Sequence, residues 1–412
     1  MAIASSPLVS LPIGKTFDVA IVGGGIHGAG VAQASAAAGY RTLLIERSEW
    51  ATATSRWSSK LIHGGLRYLE SAQFNLVRNS LRERALLLQN APQLVRAVPF
   101  FIPVYAHTRR RPWQLRIGLT LYALLAGLQP LSRFRSVPEC EWATLTGLRT
   151  DNLQAVFQYW DAQTDDAELT RAVVQSAISL GATCITGCEL LHADDQDFQH
   201  VLHLRSSDAS GTQHWQCSAR SLVNAAGPWV NEIVARCENA GPPQAISWVK
   251  GTHIVLPATA KPGIFYLEAP RDGRAVFVMP WRDHNQNELT LVGTTEVEIN
   301  SPAAAPTTEE IDYLLETLRF YFPQHPDTVL DSFAGVRVLP AGNNSPFSRA
   351  RESLLTRTGA SAPFVSIYGG KLTTYRHTAE QVMEALRPAL GYLPVRANTE
   401  QLPLTPVAST PR

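Results

Sequence analysis

Apolar and polar positions alternate between two rhythms along this chain. Phe17 to Val22 reads FDVAIV, an apolar, β-branched run of strand length. It leads into Gly23-Gly24-Gly25-Ile26-His27-Gly28, after which the small-residue run GAGVAQASAAAG predicts a helix ending at Gly39. A second apolar strand, Arg41 to Ile45, ends in Glu46. Two later runs repeat the theme of a strand ending in small residues: SLVNAAGPW from Ser221 to Trp229, and VSIYGGK from Val365 to Lys371. Between them FVMPW and LTLVGTTEVEI alternate in the manner of an antiparallel sheet. From Gly391 onward Pro, Thr and Ala follow without period, which predicts a flexible tail. There is no internal repeat.

The first of these segments carries chemistry. Gly23, Gly25 and Gly28 fit G-x-G-x-x-G between a strand and a helix. Gly23 allows the tight turn, Gly25 lets backbone approach a pyrophosphate, and Gly28 lets helix and strand pack closely. The helix N-terminus turns free N–H groups and a positive dipole end toward phosphate. Glu46, at the end of the second strand, is placed to accept ribose hydroxyls and would repel a 2′-phosphate. After Glu46 the chain does not return to a plain βαβ repeat, and three cofactor-like strand ends are spread along it. That spacing fits one FAD held by a discontinuous domain better than it fits NAD.

Composition narrows the class. The chain has 412 residues, enough for two or three domains. Hydrophobic residues make up 45% and charged residues 17%, which excludes a disordered chain. A formal charge of +1 argues against a general nucleic-acid binder. Cys140, Cys184, Cys188, Cys217 and Cys237 form no CxxC pair, so they read as reduced thiols in a cytosolic setting. No histidine or cysteine group has metal-ligand spacing, and no metal is expected. No segment reaches the ~20 apolar residues of a spanning helix, and the first residues lack the features of a signal peptide. Only five of the 36 basic residues are lysines, so a lysine inside a motif carries more weight than an arginine.

From about Phe17 to Leu386 the sequence resembles the FAD-dependent glycerol-3-phosphate dehydrogenases. The likeness rests on long blocks: IVGGGIHGAG, ATSRWSSKLIHGGLRYLE, YWDAQTDDAEL, LVNAAGPWV, VKGTHIVLP, VFVMPW, VGTTE, GVRVLP and YGGKLTTYR. The resemblance implies oxidation of the C2 hydroxyl of sn-glycerol 3-phosphate to dihydroxyacetone phosphate, with electrons passed to a quinone or to oxygen. It implies a cytoplasmic protein, with contact to the inner face of the cytoplasmic membrane and a homodimer both admitted. The segment at residues 108–131, three arginines and a tryptophan before an apolar helix, could meet an anionic lipid surface or pack inside the second domain.

The same resemblance supplies site residues. His253 is the expected base, with Arg337 and Lys371 as the other catalytic groups. Arg67, Tyr68 and Arg351 would bind the substrate, Arg349 being an alternative to Arg351. Guanidinium forks suit the phosphate, and the ammonium of Lys371 would counter negative charge beside the flavin ring. Gly23, Gly25, Gly28, Glu46, Thr54, Ser58, Ser59, Gly227, Gly370, Leu372 and Thr373 would bind the cofactor. Lys60 and Lys250 read as cofactor-loop or structural cations, and Asp165-Asp166 as a helix N-cap.

The fold class is therefore α/β, a two-dinucleotide-binding, Rossmann-like FAD domain with an interleaved α+β substrate or cap domain of antiparallel sheet. Residues 15–90, 158–240 and 332–390 are assigned to the first, 91–157 and 241–331 to the second, and 391–412 to the tail. Two departures stand out. The helical C-terminal domain of the family has no counterpart in these 412 residues, and Arg56-Trp57 is bulkier than the small pair expected there. They motivate two alternatives: a flavoenzyme for another hydroxy acid, polyol phosphate or amine, and a flavin-binding subunit without turnover.

Overall fold

The structure is a computed structural model that describes residues 11–208, 211–259, 261–283, 285–341 and 352–407. The first nine strands are β1 (Thr16–Val22), β2 (Thr42–Ile45), β3 (Leu61–Ile62), β4 (Val95–Tyr105), β5 (Arg135–Ser136), β6 (Leu153–Thr164), β7 (Thr183–Ile185), β8 (Cys188–Gln196) and β9 (Gln199–Asp208). The rest are β10 (Gly211–Asn224), β11 (Ile246–Pro257), β12 (Ile264–Glu268), β13 (Ala275–Arg282), β14 (Glu288–Gly293), β15 (Val297–Ile299), β16 (Asp331–Pro340), β17 (Leu354–Thr358) and β18 (Phe364–Tyr368). The helices are α1 (Ile26–Ala37), α2 (Phe74–Asn90), α3 (Pro112–Leu125), α4 (Asp166–Ser179), α5 (Val230–Ala235), α6 (Thr308–Tyr321) and α7 (Tyr375–Leu390).

The chain divides into two compact units, the first made of Met1–Ser55, Ala167–Ala245 and Arg351–Arg412. Its sheet runs β17-β18-β10-β1-β2-β7, with β9 and β8 continuing from β10. The strands β18, β10, β1, β2 and β7 are mutually parallel. Such strands are covered on both faces, which is why they read as unbroken apolar runs rather than alternating ones. Val19, Ile21, Leu43, Leu44, Val223 and Val365 have no solvent exposure. Helix α1 is built of small residues because it packs closely. A Cβ on Gly30 would stand 2.7 Å from the Tyr375 ring at the start of α7.

Residues 391–407 correct the expected flexible tail. The backbone N–H of Arg396 donates to the Ala37 carbonyl at 2.7 Å, and its guanidinium to the Leu180 carbonyl at 2.7 Å. Asn398 caps a short 3-10 turn, Thr399–Gln401, and Leu404 is buried. Absence of periodicity signalled no regular element here. It did not signal absence of packing, because irregular backbone can close its hydrogen bonds on a neighbouring helix end.

The second unit comprises Arg56–Asp166 and Ile246–Ala350. Its sheet runs β15-β11-β14-β13-β12-β4-β6-β3, with β16 on β11 and β5 on β6. Pairing is antiparallel except between β12 and β4. One face buries Ile254, Leu256 and Val292 with Leu314, Leu318 and Tyr321 of α6. The other buries Val255 and Leu291 with Leu76, Val77 and Leu81 of α2 and Leu115, Leu119 and Tyr122 of α3.

The unit boundaries differ from those drawn on the motif blocks. Residues 56–90, 158–166 and 332–350 fall in the second unit, and 241–245 in the first. Hydrogen-bonding is the reason. Strand β6 pairs with β4 from Thr164 to Leu153 with one register shift at Val104/Tyr105, β3 pairs with β6, and β16 pairs with β11 along its whole length. A block boundary in sequence does not cut a ladder.

Candidate active site

In the first unit β1, β2 and β10 end level, and β18 runs two residues further. Val22 of β1 lies opposite Ile45 and Asn224, and Asn224 opposite Ser366. Beyond this one carboxyl edge come the glycine loop, Glu46, Gly227 and the Gly369-Gly370-Lys371 turn, the place where open α/β sheets bind ligands. Gly23 has φ +114, and a Cβ there would lie 2.5 Å from the Ala225 carbonyl oxygen. A Cβ on Gly28 would lie 1.8 Å from the Gly23 carbonyl oxygen. These two positions admit no side chain. Gly25 is the N-cap of α1, and among the described residues its Cβ would crowd Ser55 Oγ alone, at 3.1 Å.

Glu46 is fixed by two backbone donors, Gly24 N–H at 2.7 Å and Ser48 N–H at 2.9 Å. Ser55, which sequence reasoning passed over in favour of its neighbour Thr54, accepts the Ile26 N–H at 2.9 Å. It therefore sits at the N-terminus of α1. Gly227, at φ +55, opens a short turn after β10 with free space where a Cβ would be. Gly370, at φ +98, leaves room for the His27 ring, whose Nε2 would be 2.3 Å from a Cβ. Leu372 is half-buried and Thr373 buried between β18 and α7, and the Lys371 ammonium nitrogen is shielded from solvent. His27, another residue missed in sequence, is buried, and burial pushes its pKa down to about 4, so it is a neutral imidazole. Its Nδ1 has no partner among the described residues.

The second unit holds the rest. His253 on β11 is opposite Gly293 and Phe333, and Arg337 on β16 is opposite Val249. Residues 249, 251 and 253 share one face by strand alternation, so His253 and Arg337 emerge on the same side. Glycines clear that face. A Cβ on Gly293 would lie 2.1 Å from His253 Cδ2, and one on Gly251 3.1 Å from an Arg337 guanidinium nitrogen. The His253 ring stacks on Phe333, which in turn contacts Trp57. His253 is 1% exposed, and its Nε2 is hydrogen-bonded to Ser59 Oγ at 3.1 Å. Its Nδ1 has no partner among the described residues. Burial, with the charges of Arg337 and Lys60, holds its pKa well below the usual histidine value. The imidazole is neutral and able to take a proton.

Asp166 organises the loop that reaches this face. It is buried, accepts the Ser58 N–H at 2.9 Å and pairs with the Lys60 ammonium at 2.5 Å. Burial raises its pKa while Lys60 opposes the rise. Lys60 is thus a structural cation, and so is Lys250, paired with Glu310 at 2.7 Å. Arg337 is 3.6 Å from Glu296, a partner that a phosphate would have to displace. Arg67 lies in the 3-10 turn Leu66–Leu69, its guanidinium over the Tyr68 ring at 5.4 Å. That turn is anchored by the preceding Gly64 N–H, which donates to Tyr122 Oη at 2.9 Å, itself bonded to buried Asp161. A cavity of about 540 Å³ opens beside Leu66, Arg110 and Arg274 but is not lined by His253 or Arg337. Its Arg110 is already paired with Glu70 and Glu268, so its charge is spent. Arg351, like Arg349, lies outside the described residues.

Comparison with known proteins adds the cofactor. The sequence matches the DAO family, FAD dependent oxidoreductase, over residues 18–376. The chain belongs to this family. It is 35% identical over 390 residues to a glycerol-3-phosphate dehydrogenase of Pseudomonas tolaasii, covering 93% of this chain and 74% of that protein. It is also 35% identical over 387 residues to a D-erythritol 1-phosphate dehydrogenase of Brucella abortus (strain 2308), covering 92% and 75%. The solved glycerol-3-phosphate dehydrogenase of Bacillus halodurans, complexed with FAD, superposes with TM-score 0.71 at 24% identity, over 96% of this chain and 69% of that one, and supports the fold.

The cofactor of this flavoenzyme is FAD, and the first unit fits it. Two glycines are forced by backbone contact, a carboxylate closes the second strand, and a buried imidazole nitrogen at the loop has no protein partner among the described residues. Ser58 and Ser59 are not among these first-unit residues. They belong to the second unit, where they bond Asp166 and His253. No helix among the described residues is long and apolar enough to cross a membrane.

Proposed function

We propose that this chain oxidises the C2 hydroxyl of sn-glycerol 3-phosphate to dihydroxyacetone phosphate. The observation that carries the reading is the neutral, buried His253 on the glycine-cleared face that also bears Arg337. A histidine kept neutral by burial and nearby cations accepts the hydroxyl proton without first losing one. Arg337, with Arg67 and Arg351, binds the phosphate dianion through charge-assisted hydrogen bonds. Tyr68 braces Arg67, and Ser59 fixes the imidazole plane. Lys371 places an ammonium at the cofactor edge of the first unit. When bound, FAD supplies the two-electron oxidant. Electrons then leave to a quinone or to oxygen.

The test is the visible spectrum of the purified protein before and after anaerobic glycerol 3-phosphate. Bleaching of the yellow protein supports the reading; a yellow protein that the substrate leaves unbleached overturns it.

A second reading is favoured by two observations. One relative at the same identity is named for D-erythritol 1-phosphate, and Trp57 builds an aromatic wall with Phe333 against His253. A longer polyol phosphate would use the same base and the same guanidinium groups. Stronger bleaching by erythritol 1-phosphate than by glycerol 3-phosphate selects it.

Contact with a lipid surface rests on α3. Leu115, Leu119 and Tyr122 pack inward while Trp113, Ile117 and Leu124 are exposed beside Arg111 and Arg116. The inner face packs inside the second unit, and the exposed outer face is what supports contact with lipid. Flotation with anionic liposomes tests the outer face, and a Trp113→Ser/Ile117→Ser variant should not float.

A further inference from the structure

We infer that the β8–β9 hairpin carries a binding site for a divalent transition-metal ion, formed by His192, Asp194 and His203. Along the sequence these residues do not form a metal pattern. The hairpin assembles one because its register shifts between Leu190 and His192. Leu190 pairs with Leu204, but after the irregularity His192, rather than Leu191, faces His203. A bulge of this kind re-aims side chains. Here it keeps Leu190, Ala193, Leu202 and Leu204 buried and brings both imidazoles and Asp194 onto the outer face.

The donor geometry is close to what such an ion needs. His203 Nε2 is 2.8 Å from Asp194 Oδ2, and His192 Nε2 is 3.9 Å from the same oxygen. One ligand atom from each residue lies within 4.8 Å of the others. Donors about 2.0–2.2 Å from a tetrahedral zinc ion stand roughly 3.3–3.5 Å apart, between the two measured separations. The two rings are stacked, centroids 3.8 Å apart and tilted 16°. A small rotation of His192 closes the set. Two imidazoles and one carboxylate suit zinc, nickel or copper rather than magnesium or calcium. The half-exposed His192 gives the ion a way in and leaves room for water to complete its shell.

A fourth residue points the same way. Gln216 on β10 lies opposite His203, and its amide nitrogen Nε2 is 2.9 Å from His203 Nδ1, an orientation in which Nδ1 accepts and which an amide flip reverses. Turned so that its oxygen accepts, the amide holds the proton on Nδ1 and frees Nε2 to ligate, the outer-shell support that metal-bound histidines have. Gln216 is a positioning residue.

The test uses the FAD-loaded 412-residue chain, stripped with a chelator and titrated calorimetrically with zinc chloride. One equivalent should bind and raise the melting temperature, since a ligand of the folded state stabilises it. His192→Ala and His203→Ala should each weaken this binding at least 100-fold and abolish the thermal shift, with the flavin spectrum intact. Cys140→Ser, which removes the exposed thiol, should keep it. Gln216→Glu should tighten the site and Gln216→Leu weaken it, each by about tenfold. Absence of a stoichiometric site in the wild type, or one that survives in both histidine variants, overturns the inference. Equal affinities for the Gln216 variants and wild type overturn the role given to that residue.

Discussion

The glycines of the two units do different work. In the first, Gly23 and Gly28 sit where backbone meets backbone: each would drive a Cβ into a carbonyl oxygen. In the second, Gly251 and Gly293 sit where side chains lie down on a sheet, under the Arg337 guanidinium and the His253 ring. One set shapes a cradle from the main chain. The other keeps a sheet face low enough to hold a cation and an imidazole. The first set falls within six residues and makes a motif; the second is spread over two strands about 40 residues apart and makes none.

Substitutions separate these roles. The largest effect is expected from His253→Ala, which should lower turnover by about 10²–10⁴ while FAD content stays near that of the wild type. An unchanged rate would remove His253 as the base. Gly28→Ala should cost about 3 kcal/mol or more of stability and strip the flavin, whereas Gly293→Ala should retain flavin and lose rate, because its nearest contacts are the His253 ring, which it would displace, rather than the backbone of the glycine loop. If both variants lose flavin equally, the division of labour between the glycine sets is wrong.

Arg337→Ala should raise the Michaelis constant for the phosphorylated substrate roughly 10–100-fold. Arg337 also helps depress the His253 pKa, so its removal should shift the acid limb of kcat/KM toward higher pH. His27 gives a pH dependence of stability. Its folded-state pKa of about 4 lies below the unfolded value near ~6.5, so the unfolded chain binds more protons in that window. Its contribution is complete above pH 6.5 and falls as the pH drops toward 4. His27→Gln should flatten the fall in urea midpoint between pH 7.5 and 5, a difference of up to about 2 kcal/mol. The smallest effect is expected for Glu46→Ala, a several-fold loss of FAD on gel filtration; full occupancy would relieve Glu46 of its ribose role.

The strand, glycine turn, helix and second strand at residues 16–46 could be read directly, because contiguous residues set a turn and a helix packed on its own strand. Gly227, Gly370 and Lys371 were legible for the same local reason, each ending a parallel strand. The proposed base and phosphate-binding arginines entered through resemblance, since no local pattern distinguishes His253 from the other ten histidines. Boundaries drawn on the motif blocks split off β3 and β16, whose ladders close on β6 and β11, strands far away in the chain.

The amino-acid order by itself determined the βαβ cofactor unit, the α/β class and the apolar parallel core, since period, glycine and strand composition act over a few residues. Tertiary structure alone decided that Asp166 neutralises Lys60, that the Ser59 hydroxyl meets His253, and that residues 391–407 pack against α1. It alone decided, too, that a one-residue shift sets His192 against His203. These contacts depend on register and burial between distant segments, and those are settled only when the sheets form.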